Sequence, residues 1–103
     1  MVRILLVCSA GMSTSILIRA VEKEAVARGQ QVSVRAVGTT ELESAVGDAD
    51  VVLVAPQVRH RFPQFAEIAR AAGKPIALIE PKAYGPFGGP AILDQVAQLL
   101  SGS

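Results

Sequence analysis

"VRILLVCSAGMSTS", Val2 to Ser15, decides the fold of this chain. Its first half is a short apolar run with little alternation, the pattern of a strand covered on both faces. Its second half places the only cysteine, Cys8, at the end of that strand, ahead of seven small, hydroxylated or flexible residues. A helical pattern follows, with Leu17, Val21 and Ala25 recurring at intervals of four beside Ile16 and Ala20. Strand, loop and helix in that order form the first unit of an open α/β sheet.

The rest of the chain repeats the unit. Further apolar runs at Val51–Ala55 and Ile76–Ile79 predict buried parallel strands. Gln31–Val37 alternates, with Val32, Val34 and Ala36 facing one way and Ser33 and Arg35 the other, which predicts a half-covered edge strand. Helices are predicted from Ser13 to Arg28, closed by Gly29; from Thr39 to Val46, with Thr39 or Thr40 as N-cap and Gly47 as terminator; from Pro63 to Ala72, ended by Gly73; and from Pro90 to Leu100. "GPFGGP", Gly85–Pro90, is a constrained turn into the last helix. The whole, 1–103, reads as a single domain with right-handed crossovers.

Composition narrows the function. Ten basic against nine acidic residues leave a formal charge of +1, so no long-range field gathers nucleic acid or anionic lipid. One cysteine permits no internal disulfide, and no cysteine or histidine partners stand at zinc spacing. The first apolar run is too short for a signal core or a membrane span, and a cytoplasmic location is expected. No long apolar stripe is left over, which predicts a free monomer.

In an open α/β sheet, ligands sit beyond the carboxyl ends of the strands near the topological switch point, and Cys8 falls there. Unpaired N–H groups and the positive end of the helix dipole meet at that place, and both favour a thiolate, the nucleophilic form. The same N–H groups suit a phosphate. Gly11 lets the backbone turn sharply, and Ser9, Ser13, Thr14 and Ser15 bring hydroxyls. A lone intracellular cysteine is most often a buried small hydrophobe; the density of glycine and hydroxyl groups behind this one argues for a reactive site.

Cysteine at the head of such a loop resembles the low-molecular-weight tyrosine phosphatases and arsenate reductases, whose pattern is C-x5-R followed by Ser or Thr. Here the residue six after Cys8 is Thr14, so the bidentate arginine clamp is absent. A hydrolase also needs an acid, for which Glu80, before Pro81, is the candidate. A dithiol reductase would need a second cysteine, a phosphoreceiver would need an aspartate at a strand's carboxyl end whereas Asp48 and Asp50 precede theirs, and a dinucleotide fold would need G-x-G-x-x-G.

"CSAGMSTS" after a short strand, followed by "ADVVLVAPQ" (Ala49–Gln57), "KPIALIE" (Lys74–Glu80) and "YG" (Tyr84, Gly85), resembles the cytoplasmic B component (EIIB) of the sugar phosphotransferase system (PTS), in its lactose, cellobiose and chitobiose class. The resemblance spans nearly the whole chain. It implies a four-stranded parallel sheet in the order 2-1-3-4, flanked by helices. It implies that Cys8 accepts a phosphoryl group from a phosphohistidine of the A component (EIIA) and passes it to a sugar bound by the membrane C component (EIIC), with no cofactor. Ser9, Ala10, Gly11, Met12, Ser13, Thr14 and Ser15 would be the phosphate-binding loop.

Pro56 and Gln57 match the family's loop beside the cysteine, where Gln57 would support the phosphate loop or touch a partner; Pro56 serves equally as a rigid strand-ending turn. Tyr84 matches the loop after the fourth strand. Glu80 stands where relatives often carry an acid, and Pro81 with Lys82 gives that loop its own character. Arg59, His60 and Arg61 form a basic cluster that reads as a solvated helix start, with attraction of an acidic docking surface as the alternative. His60 reads as an ordinary surface histidine.

Overall fold

The computed structural model describes residues 1–9 and 14–102. Four strands, β1 (Val2–Val7), β2 (Val32–Val37), β3 (Val51–Val54) and β4 (Ile76–Leu78), form one parallel sheet in the order β2-β1-β3-β4. Helices α1 (Thr14–Ala27) and α4 (Gly89–Gly102) cover one face, and α2 (Leu42–Ala45) and α3 (Phe62–Ala71) the other. The radius of gyration, 12.3 Å, is that of one domain of this length, for which about 13 Å is usual. Among the described residues no helix is long and apolar enough to cross a membrane.

Two cores result. Ile4, Leu6, Val51 and Leu53 meet Leu17 and Val21 of α1 and Ile92 and Val96 of α4. On the opposite face Leu5, Val7, Val52 and Val54 meet Leu42, Phe65 and Ala69. Adjacent residues of β1 and β3 thus serve opposite faces, which is why these strands show no polar alternation. β2 is the edge, as its sequence predicts: Val32 and Val34 are half-covered, and Ser33 and Arg35 are exposed. Ala36 is exposed too, and Val37 is the residue buried at that end.

Gly29 and Gly73 end α1 and α3 with φ of 69° and 71°, the left-handed conformation that glycine adopts without a Cβ clash. α2 departs from expectation. It starts at Leu42 rather than Thr39, and neither Thr39 nor Thr40 caps it. The Gly38 N–H instead donates to Glu41 Oε1 at 2.7 Å, and the Glu41 N–H to the Gly38 carbonyl at 3.1 Å, so a glycine-led turn precedes the helix. Gly47 lies inside a 3-10 turn, Val46–Asp48, that carries the chain on toward β3. A second 3-10 segment, Pro56–Arg61, kinked at Val58, precedes α3. In α1, Ile16 is about half exposed, at 48%, because the buried face runs through Thr14, Leu17, Val21 and Ala25.

Arg3 and Asp50 pin the amino end of the sheet. The Arg3 N–H donates to Asp50 Oδ2 at 2.8 Å, and its guanidinium reaches Oδ2 at 3.4 Å and Oδ1 at 3.3 Å. These hydrogen bonds, from side chain and then backbone, hold the Asp50 carboxyl below the usual carboxylate range. A carboxyl depressed on folding stabilises the native state above its unfolded value, about 3.9, and that contribution is lost as pH falls toward the lower native value. Asp50→Asn should therefore flatten the loss of stability below about pH 4, as read by urea unfolding across the acid range. A slope identical to that of the parent would refute this role.

Candidate functional site

β1 delivers Cys8 to the carboxyl edge of the sheet and both neighbours grip it there. The Cys8 N–H donates to the Val37 carbonyl of β2 at 3.0 Å, and the Ala55 N–H, just past β3, donates to the Val7 carbonyl at 2.9 Å. α1 leaves β1 toward one face of the sheet, whereas α3 leaves β3 toward the other, so the crevice between the ends of β1 and β3 is the switch point. Cys8 sits at that point, 7% exposed, within the core beside Val37, Val58 and Phe65.

The first turn of α1 reaches the sulfur. Thr14 stands three residues before Leu17 on the buried face of the helix, is 5% exposed, and donates from Oγ1 to Cys8 Sγ at 3.3 Å. Thr14 Oγ1 also lies 3.0 Å from the Tyr84 hydroxyl. Cys8 Sγ in turn lies 3.8 Å from the Val37 carbonyl oxygen, which accepts from the thiol, a weak donor. The sulfur therefore has a partner in either form: an acceptor when protonated and a donor when it carries charge.

Tyr84 is held from below. It follows the 3-10 turn Pro81–Ala83, its N–H bonds the Pro81 carbonyl at 3.2 Å, and its half-buried ring packs against the cores on both faces of the sheet. Gly88 explains the glycines behind it. A Cβ there would stand 1.7 Å from the Ala83 carbonyl oxygen, so only glycine lets the loop fold down on the turn that carries Tyr84.

A groove of about 490 Å³ opens beside the sulfur, lined by Cys8, Ser9, Thr14 and the turn Gly38–Glu41 after β2. That turn is the part of the site that sequence reasoning missed. The signal was present, since "GTTE" follows the strand paired with β1, but the threonines read as helix caps.

Of the expected site residues, Cys8, Thr14 and Tyr84 come together, and Ser9 lines the groove. Ala10, Gly11, Met12 and Ser13 lie outside the described residues. Ser15 is exposed on the next position of α1. Pro56 is buried at the start of its 3-10 segment, as a strand-ending turn, and Gln57 is exposed on it. Arg59 donates to the Pro56 carbonyl at 3.3 Å; Arg61 donates to Gln64 Oε1 at 3.0 and 3.2 Å and lies over the Phe65 ring at 5.7 Å. Both arginines thus brace their own segment, and His60 is exposed. Glu80, the candidate hydrolase acid, is exposed and pairs with Lys82 at 3.6 Å on its own loop.

Residues 3–95 match the family model "PTS system, Lactose/Cellobiose specific IIB subunit". The chain belongs to that family. It is 31% identical over 103 aligned positions to the galactose-specific EIIB component of Lactococcus lactis subsp. cremoris, with 95% of each chain covered. It is likewise 31% identical over 100 positions, with 97% of each chain covered, to the oligo-beta-mannoside-specific EIIB component of Bacillus subtilis. The solution structure of a cellobiose-specific IIB component from Borrelia burgdorferi superposes with a TM-score of 0.79 at 37% identity, covering 96% of this chain and 91% of that one. A lactose-specific IIB domain from Streptococcus pneumoniae shares the fold at a TM-score of 0.78 and 19% identity, covering 90% of this chain and 95% of that one. EIIB components are phosphotransferases of sugar transport and work with EIIA and EIIC partners.

Proposed function

We propose that this EIIB chain is a phosphoryl relay in sugar uptake and that Cys8 carries the phosphoryl group. The thiolate attacks a phosphohistidine of EIIA: the N–P bond breaks and an S–P bond forms. A hydroxyl of the sugar bound by EIIC then attacks; the S–P bond breaks, an O–P bond forms, the electron pair returns to sulfur and the hydroxyl proton leaves to a base outside this chain. The observation that carries the reading is the Thr14 hydroxyl aimed at Cys8 Sγ at 3.3 Å, at the switch point of the sheet. It stabilises negative charge on the sulfur, which is present before the first transfer and reappears in the second.

The loop Ser9–Ser15 supplies N–H groups and hydroxyls for the phosphate, without the arginine that would favour attack by water. A relay benefits from that absence, because the thiophosphate must last until its acceptor docks. In this reading Pro56, Gln57 and Tyr84 support that loop or meet a partner, the chain works on the cytoplasmic side of the membrane as a free monomer, and no cofactor enters. The curated relatives are named for galactose, cellobiose and oligo-beta-mannoside at the same 31% identity, which fits selection of the sugar by the membrane component.

The single cysteine makes the test clean. Incubation with labelled phosphoenolpyruvate, the general phosphotransfer proteins and a panel of EIIA components should label the chain, and prior alkylation with iodoacetamide should prevent it. Label accepted by fully alkylated protein would overturn the reading. Thr14→Val, which deletes a hydrogen bond to a charged atom worth about 1.5–3 kcal/mol, should slow phosphoryl transfer roughly tenfold or more, whereas Thr14→Ser stays near the parent rate. Equal rates for the valine and serine variants would remove the hydroxyl from the mechanism.

A further inference from the structure

We infer that Tyr84 is a positioning residue: its phenolic O–H fixes the Thr14 proton on Cys8 Sγ, where that proton offsets negative charge on the sulfur. This deepens the relay reading and rests on it. The argument is one of counting protons. Thr14 has a single hydroxyl proton and two neighbours, Cys8 Sγ at 3.3 Å and the Tyr84 oxygen at 3.0 Å. If Thr14 gives its proton to Tyr84, the sulfur receives none. If Tyr84 is the donor, the Thr14 proton is free for the sulfur.

Phenol is the more acidic of the two hydroxyls and the better donor, so the order Tyr84 to Thr14 to Cys8 is favoured. Successive hydrogen bonds polarise one another in a buried site, and the order strengthens as charge builds on sulfur. Thr14 is 5% exposed, and its hydroxyl lies within hydrogen-bond distance of both the sulfur and the phenol.

Few other described groups compete for the role. The core that holds Cys8 is apolar, with Val37 from β2, Leu42 and Ala45 from α2, Val58 from the 3-10 segment, and Phe65 and Ala69 from α3. The carboxylate lining the groove, Glu41, already accepts the Gly38 N–H at 2.7 Å, and its charge opposes a thiolate. Tyr84 is thus the described group placed to offset it through Thr14.

Tyr84→Phe keeps the ring and its packing and removes only the hydroxyl. The pH midpoint of Cys8 alkylation by iodoacetamide should rise by about half to one unit, a three- to tenfold slowing on the acid side of the transition. Thr14→Val should raise it at least as far, and the double variant no further than Thr14→Val alone, since both act through one proton. Tyr84 is the only tyrosine, so uniform 3-fluorotyrosine, a stronger donor, tests the opposite sign without altering the packing: the midpoint should fall. An unchanged midpoint in both proteins, with unchanged melting temperature, overturns the inference, and so do additive effects of the two substitutions. Phosphoryl acceptance assayed in parallel separates the two readings. A shifted midpoint in a chain that takes no phosphoryl group supports the hydrogen-bond order and sinks the relay; normal acceptance with an unshifted midpoint does the reverse.

Discussion

Exchange of Cys8 for serine is expected to stop phosphoryl transfer to sugar, a loss of at least about a thousandfold, or roughly 4 kcal/mol of barrier. Serine is a weak nucleophile unless a base takes its proton. Glu41, the carboxylate of the groove, is engaged with the Gly38 N–H. A serine ester, once formed, is also a poor donor, because an alkoxide leaves far less readily than a thiolate. The fold should not notice. Serine Oγ can donate to the Val37 carbonyl and accept from Thr14, the two partners the sulfur has now. The check is the rate of sugar phosphorylation in the reconstituted system beside the melting temperature of the variant. Retained transfer with an intact fold would mean that the acceptor lies elsewhere.

Phe65→Ala should have the largest effect on stability. The ring is fully buried where α3 meets the sheet and shares its core with Val54, Ala69 and Cys8. Deleting it costs about 3–5 kcal/mol, through lost burial and the cavity left behind. That is a large part of the 5–15 kcal/mol that holds a typical domain together, and it should lower the melting temperature by about 15–30 °C. Arg61, whose guanidinium lies over the same ring at 5.7 Å, contributes about 1 kcal/mol at most, so Arg61→Ala should shift melting by only a few degrees. A drop of under about 5 °C for Phe65→Ala would show that α3 collapses into the space.

The sheet was legible because β1 and β3 are short, β-branched and buried on both faces, and because Gln31–Val37 alternates over most of its length as an edge strand does; β4, read as a buried strand, is instead the opposite edge and only half-buried over Ile76–Leu78. Gly29 and Gly73 marked two helix ends through a backbone conformation that their sequence positions foretold. The start of α2 was not legible. Thr39 and Thr40 are good caps by type, yet Glu41 satisfies the Gly38 N–H, and a local hydrogen bond outweighed propensity. The same misreading hid the groove, whose far wall is that turn.

Position 14 shows the limit more sharply. In the sequence it reads chiefly as a missing arginine, six residues after the cysteine. In the fold it is a buried hydroxyl between sulfur and phenol, and Tyr84, seventy residues further on, completes it. Such a contact depends on how α1 and the loop after β4 dock at one edge of the sheet. The family resemblance pointed to both residues, but only the structure joins them.

The most direct measurement is site-resolved mass spectrometry of the intact chain after incubation with phosphoenolpyruvate, the general phosphotransfer proteins and a panel of EIIA components. The account predicts one phosphoryl group, on Cys8, that depends on an EIIA component and disappears when the sugar-loaded EIIC partner is added. A phosphoryl group on any other residue, or an unmodified Cys8 in a chain that hydrolyses aryl phosphates by itself, would contradict it.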